Sequence, residues 1–181
     1  LKGIEIMSKL ETLHDLLVDQ TRDIFYAEKL LTKALPKMMK KTESKELRQA
    51  LENHLTETEN QVIRLESVFK ELGISAQGKR CPAMEGLVEE ATEIMNMDGT
   101  PEVIDAGIIC AAQKVEHYEI ATYGSLRTFA ETLGLTKVVT LFDETLREEH
   151  AADEKLSSIA ESYINPEAKG ACESVKRPTS R

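Results

Sequence analysis

The sequence predicts an all-α protein: a four-helix bundle of two antiparallel helical hairpins, with an extra short helix in the long crossover between them. Three observations carry this expectation. Apolar residues recur at three- and four-residue spacing through four long stretches, and no stretch alternates as a half-buried strand would. Glycine, proline and hydroxyl residues punctuate those stretches where helices start and stop. Aromatic residues make up only 4% of the chain and Trp is absent, so the core must be aliphatic and Met-rich, which suits helix packing better than a β-sandwich.

The first predicted helix, A, runs from Lys9 to about Met39. Ser8-Lys9-Leu10-Glu11 has the form of a capping box, and Leu13, Leu17, Ile24, Leu31 and Leu35 follow at helical spacing. Pro36 removes a backbone donor and is expected to kink or end the helix. Met7 reads as a natural start, which leaves residues 1–6 as an extension to a bundle spanning residues 7–164. Thr42, Glu43 and Ser44 break the pattern. Helix B then carries Leu47, Leu51, Leu55, Val62, Leu65, Phe69 and Leu72, and Gly73 stops it. After a loop from Ile74 to Cys81, Pro82 opens the short helix, Ala83 to Met97. Thr100-Pro101-Glu102 is a strong start signal for helix C, which runs to Leu133 over about 50 Å and ends at Gly134. Thr136 is placed to cap helix D, whose apolar side holds Val139, Phe142, Leu146, Leu156, Ile159 and Tyr163. Asn165-Pro166 should end it, leaving residues 165–181 as a polar tail. Short loops make A–B and C–D hairpins, and the long B–C connection can cross from one end of the bundle to the other.

Composition narrows the partners. A chain of 181 residues, 41% apolar and 30% charged, is of a size to build one domain with a sizeable core. Its net charge of −9 disfavours nucleic acid and anionic membrane, and is compatible with attracting cations. No run of about 18 apolar residues spans a membrane, and no basic segment precedes a long apolar one as in a secretion signal. Cys81, Cys110 and Cys172 are far apart and odd in number, so free thiols in a reducing cytoplasm are expected. In the short helix, Met84, Leu87, Val88, Ala91, Ile94 and Met95 spread over more than one face, which predicts a homodimer or larger assembly.

The informative acids lie on apolar stripes, because burying a lone carboxylate is costly. Glu28 sits between Ile24 and Leu31, and Glu149 among Phe142, Leu146 and Leu156. Glu116 shares a face with Gln113, Ile120 and Tyr123; Glu119 is on the adjoining stripe with Val115 and Leu126. His54 lies between Leu51 and Leu55, with Glu57 a turn on. Glu28 and Glu57 are nearly equidistant from Glu43 in the A–B loop, as Glu119 and Glu149 are from Leu135 in the C–D loop. Glu116 and Asp153 form the next level. If the hairpins dock level, these groups converge near mid-height. They must then protonate, pair with lysines such as Lys29 or Lys114, or be held by cations, and oxygen with imidazole suits iron or manganese. A lone histidine on a helix is more often a satisfied core histidine than a ligand, and both readings stand for His54.

A di-iron bundle takes one Glu from each of two helices and Glu-x-x-His from the other two. Here Glu57 is followed three positions on by Asn60, and Glu149 by Ala152 with Asp153 beyond; His54 precedes Glu57. The literal Glu11-x-x-His14 lies about 21 Å along the helix from Glu28 and is read as incidental.

Several segments resemble the YciE/YciF family of bacterial ferritin-like stress proteins. They are Phe25-Tyr26-Ala27-Glu28-Lys29-Leu30, His54-Leu55-Thr56-Glu57-Thr58-Glu59, Cys81-Pro82-Ala83-Met84-Glu85-Gly86-Leu87, and the long Ala112-to-Gly124 stretch around Glu116-His117-Tyr118-Glu119. The likeness continues through Glu144–Glu149 and Asp153–Leu156. It implies a ferritin-like bundle, a cytoplasmic homodimer and a family described as ferroxidases. Carried over by position, it implies metal ligands at Glu28, Glu57, Glu116 or Glu119, and Glu149, with His54 and Asp153 replacing the absent histidines. The expectation is a carboxylate protein for iron or manganese, dinuclear if both positions fill, that reacts with oxygen or peroxide, Tyr26 or Tyr123 relaying an electron. The alternative is a metal-poor helical scaffold of the stress response.

Overall fold

The computed structural model describes residues 10–175, without the side chains of 171–175. The described residues form α1 (Leu13–Lys41), α2 (Lys45–Glu71), α3 (Pro82–Asn96), α4 (Pro101–Thr132), α5 (Thr136–Ile159), a π-helical turn (Ala160–Ile164) and α6 (Asn165–Val175), with no strand among them. The all-α expectation holds. Helices α1, α2, α4 and α5 form the bundle: α1 and α5 each pack on both α2 and α4, and α3 lies outside against α1 and α4. The α1–α2 loop meets the start of α4 through Asp105, and Lys155 near the end of α5 reaches Glu46 at the start of α2. Thus α1 and α5 run one way and α2 and α4 the other, as a bundle-spanning crossover requires.

The inner faces follow a four-three spacing. On α1 it runs Leu17, Thr21, Ile24, Glu28, Leu31, Leu35, Met38; on α2, Leu47, Leu51, His54, Thr58, Gln61, Leu65, Val68; on α5, Val138, Phe142, Thr145, Glu149, then Leu156 and Ile159, all of them buried. This is the seam of helices crossing at a shallow angle. In the middle of each stripe the residues turn polar. The apolar core is accordingly split in two. One half holds Leu17, Phe25, Phe69 and Phe142, the other Leu35, Leu47, Ile108 and Ile159. Each such side chain stabilises the fold by about 1.5–3 kcal/mol on burial, which offsets the polar belt between the halves.

Several local expectations are corrected. Helix α1 starts later than Lys9: Leu10 and Glu11 precede it, and Thr12 is its N-cap. The Asp15 N–H donates to Thr12 Oγ1 (3.1 Å) and the Thr12 N–H to Asp15 Oδ2 (2.9 Å), so the capping box lies one turn on. Residues 1–6, Met7 and Ser8 lie outside the described residues. Pro36 sits inside α1 without ending it. It is exposed, and the residue whose carbonyl it leaves free, Thr32, is only partly buried, so water can serve that carbonyl. Gly73 and Gly134 do end α2 and α4, at φ 70° and 71°. Each closes a Schellman motif, with Ile74 N–H to Phe69 O (3.1 Å) and Leu135 N–H to Ala130 O (2.9 Å). That second bond makes Leu135 rather than Thr136 the N-cap of α5, with no side-chain bond. Nor do Asn165-Pro166 end the last helix. The π turn falls just before Pro166, where a regular turn would drive the proline ring into the carbonyl four residues back, and α6 follows.

In α3, Met84, Ala91 and Met95 are buried, while Leu87, Val88 and Ile94 are half-buried. Gly107 on α4 lets α3 approach, since a Cβ there would meet Ile94 Cγ2 at 2.6 Å. Cys81 is buried and Cys110 exposed, both as free thiols; the Cys172 side chain is outside the described residues. No helix among the described residues is long and apolar enough to cross a membrane.

Candidate metal centre

The polar belt gathers one acid from α1, one from α5, two from α4 and a histidine from α2. Glu28, Glu119 and Glu149 are 0% exposed, Glu116 2% and His54 6%. Ligand atoms of His54, Glu116, Glu119 and Glu149 lie within 4.8 Å of one another. His54 Nε2 is 3.3 Å from Glu116 Oε1. Glu28 faces Glu119 across the belt, and the Tyr123 hydroxyl donates to its Oε1 at 2.5 Å. On the α5 side the Gln61 amide donates to Glu149 Oε1 at 2.5 Å and to Glu148 Oε2 at 3.0 Å.

Much of this site is left unsatisfied. Glu28 Oε2, Glu116 Oε2, Glu149 Oε2, both oxygens of Glu119 and His54 Nδ1 are buried without a hydrogen-bond partner. Native interiors pair nearly all such atoms, so a concentration in one place needs a cause. Lysines do not supply it. Lys29 lies over the Phe25 ring, 4.3 Å from its centre, and Lys114 pairs with Glu90 at 2.7 Å. Arg64 is turned to Glu144, Glu148 and Thr145.

Burial, reinforced by the neighbouring carboxylates, pushes Glu28, Glu116 and Glu119 well above the ordinary carboxyl value. Glu149 also moves up on burial, opposed by His54. Burial pulls His54 down, but Glu57 and Glu149 more than offset it, so its net shift is upward.

Of the expected ligands, Glu28, Glu57 and Asp153 are not among the four whose ligand atoms converge, although Glu28 is buried in the same belt. The Glu57 side chain is 44% exposed, its carboxylate 3.6 Å from His54 Nδ1. Asp153 accepts from the Gln113 amide at 3.1 Å and lies 3.5 Å from His117 Nε2. Tyr26 is also away from the belt, donating to Glu85 on α3 at 2.6 Å. Gln61 was not anticipated, although it stands seven residues after His54 on the same stripe.

Carboxylate oxygens with one imidazole, buried together without partners, form a donor set that could hold a metal ion. Fold and site together define a ferritin-like helical bundle with a buried His/Glu group able to hold a metal ion.

The chain belongs to the family described as Domain of unknown function (DUF892), whose model matches residues 12–169. It is 44% identical over 160 residues to Protein YciF of Escherichia coli K12, covering 88% of this chain and 96% of that one. The crystal structure of the E. coli stress protein YciF superposes with a TM-score of 0.83 at 44% identity, over 86% of this chain and 99% of that one. YcfI from Rhodopseudomonas palustris gives 0.82 at 44% identity, over 87% and 99%. A protein from Xanthomonas campestris pv. campestris gives 0.68 at 20% identity, over 89% and 99%, a likeness of fold alone.

Proposed function

We propose that this chain is a metal-carboxylate protein of the stress response that binds iron or manganese in the polar belt and acts as a ferroxidase or as a peroxide- or oxygen-reactive oxidoreductase. The observation that carries this is the group of unsatisfied buried carboxylate oxygens around His54. His54, Glu116, Glu119 and Glu149 would hold one cation; Glu28 with Glu119 would serve a second. A bound Fe(II) or Mn(II) supplies the reducing electron, and in the ferroxidase form Fe(II) is itself the substrate. The protein's part is positional. Tyr123 holds Glu28, Gln61 holds Glu149, and the two apolar core halves flank the belt above and below. Cation binding displaces the protons that burial otherwise keeps on these acids.

The raised carboxyl values also favour a second reading, a metal-poor scaffold in which neutral acids pair with one another. Stoichiometric retention of Fe(II) or Mn(II) after gel filtration under nitrogen supports the first reading. Retention far below one ion per chain supports the second. A cytoplasmic homodimer belongs to the same proposal. Leu87, Val88 and Ile94 keep part of their surface in solvent, and Met97 and Val103 are exposed nearby in sequence. Sedimentation velocity at micromolar concentrations should show a dimer; a persistent monomer would remove it.

A further inference from the structure

A cleft of about 370 Å³ lies between α2 and α5, and its lining includes both surface and buried groups. Its outer part carries Glu46, Gln49, Asn53, Glu57 and Lys155; His54 and Glu116 also line it. Small residues, Ala50, Ala151 and Ala152, keep the seam between the helices open. Ala152 takes the inner-stripe position between Glu149 and Leu156, where a larger side chain would close it. Four other cavities are lined by residues away from the belt.

Two buried, unpartnered atoms belong to residues lining this cleft, His54 Nδ1 and Glu116 Oε2. Glu57, half in solvent, stands 3.6 Å from that nitrogen, too far for a hydrogen bond and close enough to share a small ion with it. Glu28, Glu119 and Glu149 have no exposed surface. A strongly hydrated ion needs a polar path to such a place, because each water it sheds must be replaced by another oxygen or nitrogen.

Resting on the metal-binding reading above, we propose that the cleft between α2 and α5 is the entry route for a hydrated divalent cation. Glu57 is its transit ligand at the mouth, and His54 passes it to Glu116 and the inner acids. Glu57 therefore belongs to the kinetics of loading rather than to the final coordination set.

The test is the rate of Co(II) uptake by the intact chain, followed by the visible absorption of the bound ion, together with equilibrium stoichiometry. Ala152→Leu fills the cleft without removing a ligand; Glu57→Gln removes the transit charge from a surface position. Both are expected to slow uptake about tenfold or more, the factor that about 1.4 kcal/mol on a barrier produces. Final stoichiometry and spectrum should match wild type. Unchanged uptake rates in Glu57→Gln overturn the route while leaving the metal site standing. Loss of stoichiometry in Glu57→Gln at saturation overturns it too, making Glu57 a resident ligand. No Co(II) bound by wild type overturns the metal reading and the route with it.

Discussion

Replacing Glu149 with glutamine is expected to leave the bundle folded and to remove most of the stabilisation that Fe(II) or Mn(II) brings. Glu149 is fully buried on the inner stripe of α5, and it is one of the four groups whose ligand atoms converge. The amide keeps the shape and can still accept from Gln61 through its carbonyl. It carries no charge and coordinates hard cations poorly. In wild type, a cation at a hundredfold excess over its Kd adds about 2.7 kcal/mol. At about 2–4 °C per kcal/mol for a chain of this size, the thermal midpoint should rise by roughly 5–11 °C. The variant should show little of that rise. Without metal it should melt at or above the wild-type temperature, since the substitution removes a buried ionisable group. Thermal scans of both proteins, with and without metal under nitrogen, decide it. Equal metal-induced rises in the two would remove Glu149 from the site.

Raising the pH should destabilise the metal-free protein. Glu28, Glu116 and Glu119 have native values well above 4.5, their ordinary one, and Glu149 moves the same way. Above that ordinary value the unfolded chain releases protons that the native chain keeps. The native state then binds more protons, and stability falls with pH until the native groups ionise. Each pH unit over which one carboxyl differs in this way costs about 1.4 kcal/mol. These acids titrate as a coupled set, so the loss belongs to the group. His54, also raised, has the same sign: its contribution is complete below its ordinary value and is lost as pH rises through the native one. Metal reverses the trend, because cations compete with protons, so the gap between loaded and metal-free midpoints should widen toward pH 8. Glu119→Gln should flatten the metal-free profile. Urea unfolding between about pH 5 and 8 measures it. A wild-type profile no steeper than that of Glu119→Gln would count against ionisable burial as the source.

The spacing of apolar residues was sufficient to read four long helices, their hairpins and the spanning crossover, because burial enforces a period that single residues cannot hide. Glu28, Glu119 and Glu149 were legible for the same reason: each occupies a position that the four-three stripe assigns to the interior. Followed strictly, that stripe would also have replaced Glu57 with Gln61 on α2 and set Asp153 aside on α5. Glu57 has the chemistry and the level of a ligand, but neither property reports which way a helix face points. The ends were less legible. The capping box read at Ser8 is found at Thr12, where Asp15 rather than a glutamate closes it. The π turn before Pro166 has no signal in periodicity, since it is a local answer to a proline the helix must accommodate.

Asp105 sits in the first turns of α4, yet its carboxylate receives the Glu43 N–H at 3.2 Å and the Ser44 N–H at 2.8 Å, at the head of α2. These are donors a helix cannot satisfy from within. The first hairpin thus borrows its closure from the second, across 62 and 61 residues of chain. Neither hairpin can be complete alone, and the two should open together in one cooperative unit rather than as separable halves. In hydrogen exchange, the Glu43 and Ser44 amides would then exchange at the rate of whole-bundle opening, although they lie in a loop, the place where exchange is ordinarily quickest.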